Sequence, residues 1–533
     1  MIFRRVCSYL TVLAITGAVG CADVPASSEG ADDGGTGGAD DGNLPQEDLG
    51  MEGIPAEGGL TIKRVEVNQG VGIDIARDGA WLDGPQRIAN IIYGRETIVR
   101  AFWTLPADWT PRTMEARLHL RYTDGTQTVQ SFELEVAGPS DPSDLATGAF
   151  GWLLEPAELQ PDMEFRVTLW ELGDGPKTES PVEATDGWSV VGVEKAPAEI
   201  RAVIVPVIYS DNPEGCETDM TALTDAQYQG FADYLQDQNP AQDVILTVRE
   251  EPILRTSSIN GPSNFFSQLQ QIRLDDDAAP NEYYYGLYDD CGGAAGTLGA
   301  APSDNVPPTK EAAQGRIAAG RWFSDAQAPV TWSTFLHEVG HTQSFAHTPC
   351  GADGNMPASP DPAYPYSGGE IGVWGVNTRT LKGYEPASAF DYMGYCDPSW
   401  VSDYRWRLAF EQIRALTSWD YEYAPAPEVP AMHLLQGLLY EDGSQEWWTT
   451  LGAPTPARDF VPSVVTVRPD LSSPREVEAQ VWEVQDTEQQ VRMVSAVLPE
   501  GVTHLSQIDS LELVTQGELW TPTAAQLHDD VSR

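Results

Sequence analysis

His337-Glu338-Val339-Gly340-His341-Thr342-Gln343-Ser344-Phe345-Ala346-His347 is the stretch on which the reading of this chain turns. The whole chain has 7 histidines, and three of them stand here. Residues four apart share one face of a helix, so His337 and His341 look the same way from adjacent turns. Two imidazoles in that relation can bind one Zn2+, and Glu338 beside them can take a proton from water at the metal. Thr331 to Leu336 leads into the helix, and Pro329 suits its first turn.

Upstream of this motif, strands and helices alternate. Ile200 to Tyr209 reads as a buried strand, Thr224 to Leu235 as a helix, and Asp243 to Val248 as a strand. Pro262 to Ile272 is a second helical stretch and Glu282 to Tyr288 a third strand, which together predict a mixed α/β layer. Gly292 to Gly299 is Gly/Ala-rich and reads equally as a strand at the sheet edge or as a plain loop. From Leu60 to Val193 short runs alternate apolar and polar residues, as in Ala116 to Tyr122, and predict a β-sandwich. His119 lies inside one such run and reads as structural. After Ala424 short β runs return, for example Ser463 to Val467. The predicted divisions are 1–21, an export signal; 22–59, a linker; 60–195, an N-terminal β-sandwich-like domain; 196–424, the catalytic domain; and 425–533, a C-terminal β-rich domain.

The motif resembles the signature of the metzincin clan of zinc metallopeptidases, His-Glu-x-x-His-x-x-Gly-x-x-His followed by a Met-turn. All three histidines and the glutamate match, and Ser344 stands where the clan has Gly. That Gly takes a backbone conformation that disfavours other residues, so Ser344 either adopts it at about 1 kcal/mol or turns differently. Asp391-Tyr392-Met393-Gly394-Tyr395-Cys396 resembles the Met-turn. The resemblance implies that His337, His341 and His347 hold one zinc ion. It makes Met393 the apolar floor and Glu338 the general base, and it has Tyr395 stabilise the oxyanion. The stretch from Pro349 to Tyr404 is similar to a group of bacterial exported metzincins that carry β-sandwich modules. The expected fold is therefore multidomain α+β, a metzincin-like catalytic domain with a mixed sheet and an active-site helix, flanked by β-sandwich-like domains.

Of the 6 cysteines, Cys7 lies in the signal, and Cys216, Cys291, Cys350 and Cys396 allow three pairings. The resemblance brings His347 and Met393 to one metal. Cys350 follows the first by three residues and Cys396 follows the second by three, so it implies Cys350 with Cys396 and leaves Cys216 with Cys291. A second metal at these thiols is the alternative, disfavoured because no Cys-x-x-Cys pair or further His lies near.

At the N-terminus Arg4 and Arg5 precede a short apolar run, Val6 to Gly20. Ala18-Val19-Gly20-Cys21 resembles a bacterial lipobox, with Cys21 the lipidation site; an ordinary secretory signal is the alternative. An exported, lipid-anchored chain follows, with the outer membrane or cell surface favoured. Asp23 to Gly59 is rich in acids and small residues and reads as a flexible tether. Over 533 residues the net charge is -49, which excludes a nucleic-acid-binding face and attraction to anionic lipid headgroups. The only membrane attachment expected is the lipid anchor. Calcium is admissible among so many carboxylates, but no liganding pattern specifies a site. The predicted activity is a zinc metalloendopeptidase cleaving extracellular protein or glycoprotein substrates. The alternative is a catalytically inactive surface module that binds proteins or glycans.

Overall fold

The computed structural model describes residues 49–179, 181–292, 297–351, 357, 359–421, 432–469, 473–487, 490–523 and 526–527, and the backbone of 2–3. Cys21, the rest of the predicted signal and residues 22–48 of the predicted tether lie outside them. The end of that tether is not free. Ile54–Pro55 pairs with Trp170 and Glu171, Met51 is buried, and Arg117 donates to the carbonyls of Gly50 and Glu52. Apolar residues and a waiting guanidinium draw 49–59 onto the N-terminal sheets.

The expected α+β class is corrected. The chain is predominantly β: four sheets of 8, 5, 6 and 7 strands run through it. Among the described residues the α-helices are four, all within 225–417. The period-two alternation that fills both flanking regions outweighs the few stretches with helical spacing. An α+β architecture of the metzincin kind is therefore not what the chain adopts as a whole.

In the N-terminal region two antiparallel sheets share one core. Val65, Val67 and Val99 come from one sheet and Leu118, Val167 and Leu169 from the other. His119, between Leu118 and Leu120, faces away from that core and is buried on the sheet's other side, bonded to the Thr168 hydroxyl at 3.0 Å and the Leu49 carbonyl at 3.1 Å.

In the central region β1 (Glu199–Tyr209) lies between β2 (Asp243–Val248) and β3 (Glu282–Tyr288), parallel to both. Beyond β3 come parallel β5 (Ile317–Arg321) and, at the edge, antiparallel β4 (Gly299–Ala300). Helix α1 (Asp225–Gln238) starts on a Thr224–Gln227 capping box. It crosses α3 (Ala328–Thr342) at Gly230, where a Cβ would lie 2.1 Å from the Trp332 ring, so glycine is required for that close approach. Helix α2 (Phe266–Asp275) covers the other side of β5. No element is expected from the sequence over 403–417, which forms α4 (Asp403–Thr417), capped by Ser402.

The N-terminal region docks on these helices. Gly70 O accepts from Trp400 Nε1 at 2.7 Å, Asn90 O from Trp406 Nε1 at 3.0 Å, and Arg95 donates to Asn239 O and Ala241 O just past the end of α1. A cation suits the carbonyl end of a helix.

The C-terminal region is one antiparallel sheet. Its strands are β6 (Met432–Tyr440), β7 (Gln445–Gly452), β8 (Val461–Pro469), β9 (Arg475–Glu483), β10 (Val491–Val497), β11 (Ile508–Thr515) and β12 (Glu518–Trp520). They stand in the order β7-β6-β10-β9-β8-β11-β12. One face carries Leu438, Trp448, Trp482 and Met493 into a core shared with Phe265, Ile317 and Ala319 of the central region. The other face has a core of its own around Leu435, Val465 and Leu513.

Candidate metal centre

Helix α3 presents His337, Glu338 and His341 from its buried C-terminal half. It ends in a pair of hydrogen bonds that reverse the chain. Phe345 N–H donates to Gly340 O at 3.1 Å and Ser344 N–H to His341 O at 2.9 Å. This closing motif needs a left-handed residue, and Ser344 supplies it with φ 68. Ser344 therefore takes the conformation in which the clan signature has Gly, and the turn delivers His347 to the face that already holds His337 and His341. The three ring centroids lie 4.8, 5.2 and 4.6 Å apart.

The outer nitrogens of two rings are fixed by carbonyls. His337 Nδ1 lies 2.8 Å from Tyr392 O, and His341 Nδ1 lies 2.8 Å from Phe345 O. A carbonyl only accepts, so both Nδ1 atoms carry hydrogen, and in a neutral ring the Nε2 lone pair faces inward. Burial lowers His341 to about 4 against the pull of Asp486, with His347 and His337 adding to it, so the ring is neutral at ordinary pH.

Asp486 occupies the focus of these rings. Its carboxylate lies 3.0 Å from His341 Nε2, 3.2 Å from His347 Nε2 and 3.5 Å from His337 Nε2. Lone pairs facing a carboxylate repel unless a cation stands between them. Four donors about 2.05 Å from one zinc ion are spaced about 3.3 Å apart in a tetrahedron, and the three Asp486–imidazole distances fall near that value. His337 Nε2 is also a buried polar atom with no hydrogen-bond partner among the described residues. His337, His341, His347 and Asp486 form a group able to bind a metal ion, their donor atoms all within 4.8 Å of one another.

Glu338 lies next to this group and is almost fully buried. Its Oε2 has no partner among the described residues, and burial, with the Asp486 charge near, pushes its carboxyl well above the usual range. Edge strand β4 packs directly on it. A Cβ on Gly299 would come within 2.8 Å of Glu338 Cγ, so glycine there leaves room for the carboxylate.

The stretch from Asp391 to Cys396 passes beneath the rings. Met393 is fully buried, and its Sδ lies 2.4 Å from where a Gly340 Cβ would be. Met393 O accepts from Thr348 N–H at 2.9 Å, which joins this turn to the loop carrying His347. Asp391 and Arg405 form an ion pair at 3.3 Å with no exposure on either side chain. Arg405 also donates to Ala346 O, one residue before His347. Tyr395 Oη stands 3.0 Å from His347 Nε2 and donates a short hydrogen bond to Asp486. Burial of the hydroxyl, and then the Asp486 charge, raise its pKa far above the usual value.

Two disulfides are present: Cys350–Cys396, which joins the His347 loop to the Met393 turn, and Cys216–Cys291. Such bonds mark an exported, extracellular or periplasmic chain. Among the described residues no helix is long and apolar enough to cross a membrane. The centre opens into a cleft of about 1330 Å³, with Leu298 and Gly299 of the β4 edge on one side and Tyr392, Tyr395 and Trp400 on the other. Of the Gly/Ala-rich stretch, 293–296 lie outside the described residues, and Gly299 belongs to the edge strand. The bases Arg379 and Lys382 line the far end.

Asp486 is the member of the site that sequence reasoning missed. It stands 139 residues after His347 in another sheet, and Gln485-Asp486-Thr487 signals only a hairpin turn. No local pattern pointed to it.

No protein-family profile matches the chain, and no curated protein matches it. Among solved structures, a candidate beta-galactosidase from Bacteroides fragilis aligns at 11% identity and TM-score 0.13, over 44% of this chain and 35% of that one. The beta-glucuronidase of Parabacteroides merdae aligns at 7% identity and TM-score 0.11, over 82% of this chain and 76% of that one. At those TM-scores neither likeness bears on fold or function.

Proposed function

We propose that the chain is an exported zinc-dependent endopeptidase acting on extracellular protein or glycoprotein substrates. The observation that carries this reading is the convergence of three imidazoles on one point beside buried Glu338, whose Oε2 has no partner among the described residues, at the head of a cleft. The reading rests on the site and its likeness to the metzincin signature, not on the fold. His337, His341 and His347 are the zinc ligands. A zinc ion held there would supply Lewis acidity and bring the pKa of water toward about 7. Glu338, beside the imidazoles, would take the proton of the attacking water and return it to the leaving amine. Tyr395, once released from Asp486, offers its hydroxyl to the developing oxyanion. Gly299 on the edge strand gives an extended substrate backbone a place to lie along β4. Cys21 anchors the chain by lipid at the outer membrane or cell surface.

One observation favours a second reading. With Asp486 the centre has four protein ligands, as in structural zinc sites, whereas catalytic sites keep one position open. A binding module that recognises proteins or glycans has no need of an open position. The discriminating variant is Glu338→Gln, made in the native chain and with Asp486→Ala. The endopeptidase reading predicts full zinc content and casein cleavage lowered by about 10²- to 10⁴-fold. Unchanged cleavage would overturn the proposed role of Glu338.

A further inference from the structure

The tip of the β9–β10 hairpin reaches from the C-terminal sheet into the cleft. Gln485, Asp486 and Thr487 line the same cavity as Gly299, His337, Glu338 and Tyr395. The hairpin is seated by apolar packing. Val484, Val491 and Met493 join the cluster that holds Ala300, Ile317 and Ala319, next to the cleft edge. Trp482 Nε1 donates to Pro302 O at 2.7 Å, two residues past the edge strand. At the tip Asp486 takes φ 62, a left-handed conformation that Asp tolerates better than most residues. The hairpin turns there with its carboxylate pointed at the three imidazoles and at the Tyr395 hydroxyl.

We infer that this hairpin tip is a built-in plug: Asp486 closes the metal centre as its fourth ligand and holds the chain latent until the tip is withdrawn from the cleft. The inference rests on the zinc-hydrolase reading of the same site. Three features support a plug over a permanent ligand. Asp486 sits at the tip of a hairpin of the C-terminal sheet, whereas the histidines sit on α3 and the loop after it, so a cut in the hairpin or a local retreat of its tip removes the carboxylate without removing them. Its carboxylate stands among the three imidazoles and against the Tyr395 hydroxyl, at the face of the centre that opens to the cleft. It also engages Tyr395, the group assigned to the oxyanion, so a single withdrawal frees the metal and the tyrosine together. The anchoring contacts lie beside β4, where an extended substrate or a partner strand competes for the same edge.

The test uses the full chain loaded with zinc. Asp486→Ala and the isosteric Asp486→Asn are compared with the native chain for binding of acetohydroxamate, a small zinc-chelating probe, by calorimetry. Zinc content and the visible spectrum of the cobalt-substituted protein are read in parallel. An occupied site weakens the apparent affinity by the fraction of chains that are open. The plug predicts that both variants keep the metal and bind the probe at least about tenfold tighter, with an altered cobalt spectrum and a matching rise in casein cleavage. Equal probe affinity in all three zinc-loaded proteins would overturn the plug and leave the metal centre standing. Loss of zinc from folded variants would also overturn it, by making Asp486 a structural ligand. Failure of the native chain to take up zinc would overturn both the plug and the reading beneath it.

Discussion

The metal centre is approached from two sides that are built differently. On one side stand α3 and the loops beneath it. His337 and His341 are tied by carbonyls, Met393 is sealed under Gly340, and the buried Asp391–Arg405 pair and the Cys350–Cys396 bond join the Met393 turn to the His347 loop. On the other side stands a single carboxylate at a hairpin tip, seated by the Trp482–Pro302 hydrogen bond and by packing of Val484, Val491 and Met493 against the central region. The histidine side is cross-linked at every residue that matters, so its geometry survives small changes around it. Asp486 reaches the rings only through its hairpin. A site in which three donors are fixed and one is separable is suited to being opened.

Three changes sharpen or break this contrast, in descending order of effect. Arg405→Met removes the partner of a buried carboxylate and should destabilise the chain by roughly 3–5 kcal/mol. Thermal unfolding measures it, and a loss under 1 kcal/mol would mean that the Asp391 bonds to Ser402 and Met393 suffice without the ion pair. Removing Asp486, by contrast, should leave folding nearly intact while changing access to the metal, so the two sides are told apart by which measurement moves. Ser344→Gly should be smallest. It relieves a left-handed serine at φ 68 and should stabilise by a few tenths to about 1 kcal/mol, part of the gain being offset by the freer unfolded chain. A clear destabilisation would show that the Ser344 side chain contributes something its backbone does not.

How much of this could be read from the sequence follows from the range of the forces involved. His337, Glu338 and His341 are set by one helix, so their spacing alone placed them together. Ser344 could be flagged as a left-handed residue because helix ends have few solutions. The disulfide pairing followed once His347 and Met393 were brought near each other. The fold class did not follow. Helical stretches next to the motif drew attention to an α/β layer, while the larger number of alternating runs made the chain predominantly β. Helix α4 was overlooked because aromatic and charged residues from Asp403 to Thr417 mask its apolar stripe, although Trp406, Phe410 and Ile413 keep helical spacing. Asp486 was beyond reach for another reason. Its place depends on how two sheets dock, and that docking is decided by a core spread over Phe265, Ile317, Trp448 and Met493, with no short pattern to announce it.

The most direct test of the central claim is the zinc content of the full chain after reconstitution, with His341→Ala as control. The account predicts one zinc per native chain, removed by chelation, and none retained by the variant while its fold persists. A folded native chain that takes up no zinc, or a His341→Ala chain that keeps it, would contradict the metal centre on which the rest depends.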